Sequence, residues 1–151
     1  MLNDYLTPDT ILFSEGVSGW RAAIDLVAKP LLDSGSITPA YVDAMTESIA
    51  NGGTYIDLGF GIALAHSRPE NGVVATGLSS LRVSPPVLLN DDPAHPIDLF
   101  FCLAATDATG HLETMQELAS LLTDDELRTE LLAATTPAEV TAVIQKIGNA
   151  S

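Results

Sequence analysis

The sequence is poor in positive charge. It has six Lys and Arg residues against twenty Asp and Glu, which gives a formal net charge of −14 over 151 residues. Such a surface repels phosphate backbones and anionic membranes, so we expect no nucleic-acid partner. A protein with a basic docking face is the natural complement of an acidic surface.

Cysteine and long apolar runs are also scarce. Cys102 is the only cysteine, so no intrachain disulfide can form, and its apolar neighbours favour a buried thiol in a reducing cytoplasm. The start, MLNDYLTPDT, lacks the basic and apolar regions of a signal peptide, and no apolar run approaches the roughly 20 residues that span a bilayer. With 46% apolar residues, the chain is expected to be a globular, cytoplasmic protein of one domain, residues 1–151.

Helical patterns lie at both ends of the chain, and strand patterns lie between them. Ser18 and the Thr38-Pro39 pair predict two helix starts near the beginning. Near the end, an apolar stripe follows His111, and two capping boxes span 123–126 and 136–139. The predicted strands cover residues 62–65, 73–83, 87–89 and 97–105. This order predicts an α/β fold in which helices pack on the faces of a central sheet.

The segment GIALAHSRPENGV, residues 61–73, places a histidine and an arginine where a predicted strand ends. In α/β folds, the loops that follow strands hold much of the chemistry. The neutral imidazole of His66 has a nitrogen lone pair that can attack phosphorus. The Arg68 guanidinium fits phosphate oxygens, and the amides of Asn71 and Gly72 are further candidate donors. An ordinary strand-end histidine without chemistry fits the same pattern.

Two other histidines are weaker candidates. His111 lies at a predicted helix start, where it can stabilise an anion or position His66; a plain surface position in the first turn is the alternative. His95 lies in a polar turn and is expected to have no function. The three histidines with Asp91 or Asp92 match no compact ligand spacing, so no metal site is expected.

Taken together, these segments resemble the enzyme IIA domain of the bacterial phosphoenolpyruvate-dependent sugar phosphotransferase system, in the mannitol–fructose class. The resemblance is closest to the ascorbate-type branch and covers almost the whole chain. The segments that carry it are 61–73, 76–77, 90–92, 96–98, 104–107, His111 and 118–132. It implies a central mixed five-stranded sheet flanked by helices on both faces, a three-layer α/β/α fold.

The resemblance also implies a phosphotransferase that works through a phosphohistidine. His66 falls on the histidine that accepts a phosphoryl group from HPr and passes it to a cysteine of the cognate enzyme IIB. His111 falls on the second active-site histidine, a phosphoryl stabiliser, and Arg68 on the arginine of the His-x-Arg-Pro-Glu pattern. The membrane enzyme IIC is an indirect partner and binds the sugar, for which ascorbate is a branch-level expectation. No cofactor is implied.

Two departures from the family pattern bear on the branch. Ala65 replaces the proline that usually precedes the active histidine. Phe60 and, approximately, Ser48 stand where the mannitol and nitrogen-regulatory branches carry a glutamate and an arginine, which favours the ascorbate-type branch with Arg68 as the replacement cation. One alternative is a nitrogen-type regulatory domain that feeds no transporter, and another is a scaffold in which His66 is structural.

Overall fold

The computed structural model describes the backbone of residues 5–149 and their side chains, apart from those of residues 55, 108–111 and 147–149. The strands within this range are β1 (Ile11–Glu15), β2 (Asp57–Gly59), β3 (Ile62–Ala65), β4 (Gly77–Leu88) and β5 (Pro96–Ala104). The α-helices are α1 (Trp20–Asp33), α2 (Pro39–Ala50), α3 (Ala108–Thr123), α4 (Asp125–Ala133) and α5 (Pro137–Asn149). None of the helices in the described part of the chain is long and apolar enough to span a membrane.

The strands form one mixed sheet in the order β1-β4-β5-β3-β2. β3 runs parallel to β5, while β4 runs antiparallel to β5; β1 is parallel to β4, and β2 is antiparallel to β3. Ala65 lies opposite Cys102, so β3 and β5 end at the same edge of the sheet. The segments that follow these two strands therefore emerge side by side.

Each face of the sheet has its own apolar core. Along β5, Phe100 and Cys102 pack with α1 and α2, whereas Phe101 and Leu103 pack with α3, α4 and α5. All four side chains are buried. A strand covered on both faces has no polar side to present, which explains its nearly continuous apolar run. The predicted mixed five-stranded sheet with helices on both faces is confirmed.

The strand before β5 differs from its prediction. Segments 73–83 and 87–89 were expected to be separate, but β4 is one strand that begins at Gly77 and continues through Pro85 and Pro86. Its register with β5 shifts between Arg82 and Val87. The prolines thus fall where the ladder to β5 is interrupted, so their missing N–H groups remove no hydrogen bond to that strand.

Three helix starts also differ from their predictions. α4 is capped by Asp124 rather than Thr123, because the Asp124 carboxylate accepts the Leu127 N–H at 3.0 Å. α1 follows Gly19 instead of Ser18. α3 begins before His111, which therefore lies inside its first turn. α2 and α5 begin at their predicted prolines.

Candidate functional site

His66 follows β3 directly, at the edge where β3 and β5 both end. Its ring Nδ1 lies 2.9 Å from the carbonyl oxygen of Leu64. Because a carbonyl oxygen can only accept, Nδ1 carries the proton and donates to it. In the neutral ring the lone pair is then on Nε2. The main chain of its own strand thus fixes both the tautomer and the orientation of the ring.

The half-buried ring of His66 borders two open depressions. The smaller has a volume of about 170 Å³ and a mainly apolar lining formed with Tyr41, Ser67, Pro69, Leu103, Ala105 and Asp107. The larger, about 650 Å³, lies between α2 and the loop after β3 and is lined also by Ala44, Glu47, Ser48, Ser67, Arg68, Pro69 and Asn71. The ring of His66 can therefore be approached from either depression.

Arg68 is exposed beside His66 and borders the larger depression. It immediately precedes a single 3₁₀ turn, Pro69–Asn71. It makes no ion pair with any residue that the structure describes. Its planar guanidinium is therefore available to an anion that enters this depression.

The backbone amides of the same loop are occupied. The Asn71 N–H donates to the Arg68 carbonyl at 3.0 Å, and the Gly72 N–H donates to the Pro69 carbonyl at 3.2 Å. The expectation that these two amides would hold a phosphate is therefore wrong for this conformation. They close the turn instead, and the Asn71 side-chain amide donates to Ser67 Oγ at 2.9 Å.

His111 lies in the first turn of α3, the helix that follows β5. The topology thus carries its backbone to the edge of the sheet where His66 lies. The side chain of His111 is outside the described residues, so its role as a phosphoryl stabiliser stays a prediction. Asp107, just before α3, lines the smaller depression together with His66.

His95 precedes β5 and so lies at the opposite edge of the sheet from His66. Its Nδ1 is 2.8 Å from the Asp57 carboxylate on β2, so this contact links β2 to the loop before β5. Asp91 and Asp92 lie in that same loop. The topology therefore prevents His66 and His95 from sharing a metal ion. Across the described side chains, no group of three or more His, Cys, Asp or Glu residues could hold one.

Tyr41 belongs to this site although the sequence pattern showed it only as part of the apolar stripe of α2. Its buried hydroxyl donates to the Leu103 carbonyl at 2.7 Å and accepts the Ser67 N–H at 2.9 Å. Burial raises the pKa of Tyr41 to about 12. A tyrosine at a core-facing position must find partners for its hydroxyl. The sequence could therefore predict that the Tyr41 hydroxyl needs partners. It could not predict which ones, because they lie 62 and 26 residues away along the chain.

The fold and the site together define a class of α/β proteins. In this class, a histidine of fixed tautomer lies in an accessible position where two parallel strands of the sheet end. The chain belongs to the family described as phosphoenolpyruvate-dependent sugar phosphotransferase system, EIIA 2, whose model matches residues 4–147. The predicted family is thereby confirmed, and EIIA components of this system are phosphotransferases.

Relatives and solved structures agree with this assignment. A mannitol-specific cryptic phosphotransferase enzyme IIA component of Escherichia coli K12 is 33% identical over 147 residues, 96% of this chain and 98% of the relative. An ascorbate-specific EIIA component of the same strain is 30% identical over 133 residues, 87% of this chain and 86% of the relative. The solution structure of the mannitol-specific cryptic enzyme IIA CmtB of Escherichia coli has a TM-score of 0.86 at 32% identity. The match covers 96% of this chain and 98% of the CmtB chain. Relatives named for two different sugars match at similar identity, so the family assignment extends to no particular sugar.

Proposed function

We propose that the chain is a cytoplasmic phosphocarrier that accepts a phosphoryl group from HPr on Nε2 of His66 and passes it to the cysteine of a cognate enzyme IIB during sugar uptake. The observation that carries this proposal is the hydrogen bond from Nδ1 to the Leu64 carbonyl, which leaves the lone pair on Nε2. In the first step that lone pair forms the N–P bond while the bond from phosphorus to the donor breaks. In the second step the IIB thiolate forms the S–P bond, and the imidazole leaves with its electron pair.

Charge at the site suits a temporary phosphoryl group. The phosphohistidine adds a doubly negative group to an already acidic protein, so it needs a nearby cation. Arg68 supplies one from the rim of the larger depression. Because the loop amides close their own turn, few strong donors hold the phosphoryl group, and the group stays labile enough to transfer. His111 is proposed to stabilise it from the first turn of α3.

The acidic surface suits brief docking to partners with a basic rim. Opposite charges steer the encounter and raise the association rate, and salt weakens this steering. HPr as donor and enzyme IIB as acceptor are the partners we propose, with the membrane enzyme IIC served indirectly. A single domain over residues 1–151 is proposed to carry all of these contacts.

The direct test is phosphorylation by a purified system. The protein is incubated with phosphoenolpyruvate, enzyme I and HPr, and intact mass with acid treatment detects an acid-labile phosphoryl adduct. His66→Ala should abolish the adduct, whereas the control His95→Ala, at the opposite edge of the sheet, should retain it. An adduct that survives in His66→Ala, or no adduct on the wild type, rules out this function.

A second stage of the same assay separates transport from the nitrogen-type regulatory role. The phosphorylated protein is mixed with purified enzyme IIB, with a IIB variant that lacks its cysteine as the control. Transfer to the cysteine supports a transport carrier. A phosphohistidine that forms but never moves to any enzyme IIB supports the regulatory alternative instead.

A further inference from the structure

The first turn of α2 anchors the loop that carries His66 at both of its ends. At one end, Tyr41 Oη accepts the Ser67 N–H at 2.9 Å. At the other end, the Thr38 N–H donates to the Gly72 carbonyl at 3.0 Å. Both anchors cross from a helix to a loop that is distant in sequence. The loop position is thus set by the start of α2 as well as by β3.

The Tyr41 hydroxyl joins this loop to the neighbouring strand. It has a single proton, which it donates to the Leu103 carbonyl at 2.7 Å rather than to the Ser67 carbonyl at 3.2 Å. Leu103 is the penultimate residue of β5, the strand that leads to Asp107 and α3. One oxygen atom therefore connects the peptide after His66 with the end of β5, the strand that leads to Asp107 in the lining of the same smaller depression.

We propose that Tyr41 is a positioning residue for phosphoryl transfer, whose hydroxyl holds the peptide that follows His66 against the end of β5 and so keeps Nε2 aimed at an incoming phosphoryl group. This inference rests on the function proposed above. The peptide that donates to Tyr41 contains the carbonyl carbon of His66 itself, and the His66 ring is held from the other side by Leu64. Two main-chain contacts thus bracket the histidine.

The surroundings of Tyr41 favour positioning over proton transfer. The side chain is 1% exposed and packs in the apolar core between α2 and the sheet. Burial raises its pKa, so the phenol stays protonated and acts as a fixed hydrogen-bonding group. Small misplacement of a reacting group can lower a transfer rate by as much as about 100-fold, so a residue that touches neither reactant can still control the rate.

The test is Tyr41→Phe, which keeps the ring and removes only the oxygen. We expect the maximal rate of phosphoryl transfer from HPr to fall roughly 10- to 100-fold, while the half-saturating concentration of HPr stays within about twofold of wild type. The matched control is Ile49→Val, a buried change about two turns further along the same helix that lowers stability and leaves the Tyr41 hydroxyl in place. Imidazole ¹⁵N NMR should show that the His66 ring signals shift in Tyr41→Phe but not in Ile49→Val, while the Leu64 carbonyl keeps the proton on Nδ1 in both.

A readout in the unmodified protein keeps the inference separate from the proposed function. Hydrogen exchange of the wild type should show the Ser67 amide strongly protected, because its acceptor is a buried oxygen, and Tyr41→Phe should lose this protection. Fast exchange of this amide in the wild type overturns the positioning role whether or not the protein carries phosphate. The role is equally overturned if Tyr41→Phe transfers at the wild-type rate, or if Ile49→Val slows transfer as much. If no phosphohistidine forms, but the Ser67 amide is protected and the His66 ring signals shift in Tyr41→Phe, only the proposed function is removed.

Discussion

Gly72→Ala is the change that tests most directly how the His66 loop is held. Gly72 has φ +134°, a backbone conformation that side chains with a Cβ rarely adopt. A Cβ at this position would lie 2.3 Å from Thr38 Oγ1 and 3.0 Å from the Tyr41 backbone nitrogen. The Thr38 hydroxyl can rotate away, but the Tyr41 nitrogen belongs to α2 and cannot. The loop must therefore move away from the helix.

The cost of this substitution has two parts. Placing alanine in a backbone conformation that favours glycine costs about 1–3 kcal/mol. Forcing a methyl group into a filled space costs about 1–3 kcal/mol more. Gly72→Ala should therefore lower the free energy of unfolding by roughly 2–6 kcal/mol. For a protein of this size, each kcal/mol lowers Tm by about 2–4 °C.

Gly52→Ala is the matched control. Gly52 follows α2 with φ +98°, but no atom lies within 4 Å of the Cβ that alanine would add. It carries the backbone cost alone, so urea or thermal unfolding should find it less destabilised than Gly72→Ala by about 1–3 kcal/mol. The phosphorylation assay should also show slower transfer in Gly72→Ala than in Gly52→Ala. Equal stabilities of the two variants would refute the close approach of the loop to α2.

Three further predictions concern other parts of the molecule. Asp124→Ala removes the acceptor of the Leu127 N–H at the start of α4 and should cost about 1 kcal/mol by thermal unfolding, whereas Asp124→Asn should cost less; equal losses would contradict a capping role. Burial raises the pKa of the Cys102 thiol to about 12, so an alkylating reagent at pH 8 should label it only in urea, and rapid labelling of the native protein, measured by mass, would contradict its burial. Arg68→Gln should slow phosphoryl acceptance in the phosphorylation assay more than Arg68→Lys does, with stability unchanged within about 0.5 kcal/mol. If both variants accept the phosphoryl group at the wild-type rate, the guanidinium is not used.

The parts of the fold that the sequence predicted well are those with local causes. Thr38-Pro39 and Thr136-Pro137 mark helix starts because proline suits the first helical position whatever the helix packs against. The Thr136 hydroxyl also accepts the Glu139 N–H at 3.2 Å, whereas the Thr38 hydroxyl makes no capping hydrogen bond. β5 was readable because both of its faces are covered. The prediction that Thr123 caps α4 was wrong because its hydroxyl donates to the Ala119 carbonyl at 2.8 Å inside α3. The next residue, Asp124, takes the capping position instead. Here two adjacent residues both suit a cap, and only the end of the preceding helix decides between them.

The parts that the sequence did not predict depend on contacts distant along the chain. β2 has three residues, too few for a period-two pattern, and exists because Asp57 pairs with Ala63 on β3. The pairing of Asp57 with His95 links residues 38 positions apart. At the candidate site, the proximity of His66 and Arg68 could be predicted because they are neighbours in one short motif. The Tyr41 hydroxyl was not, because its two partners come from different strand ends.

The distribution of cations bears on how this acidic protein would hold the phosphoryl group proposed for His66. The other cations are engaged: Lys29, Arg128 and Lys146 pair with carboxylates, Arg82 donates to the Leu132 carbonyl, and Arg21 stacks on Trp20. At physiological ionic strength the Debye length is about 8 Å, so the phosphoryl group is affected mainly by charges close to it, such as Arg68. The net charge of −14 acts on the approaching partner instead. Added salt should therefore slow association with HPr several-fold in stopped-flow mixing while leaving the transfer rate within the complex nearly unchanged. If added salt lowers the association rate and the transfer rate together, the net charge and Arg68 do not act on separate steps.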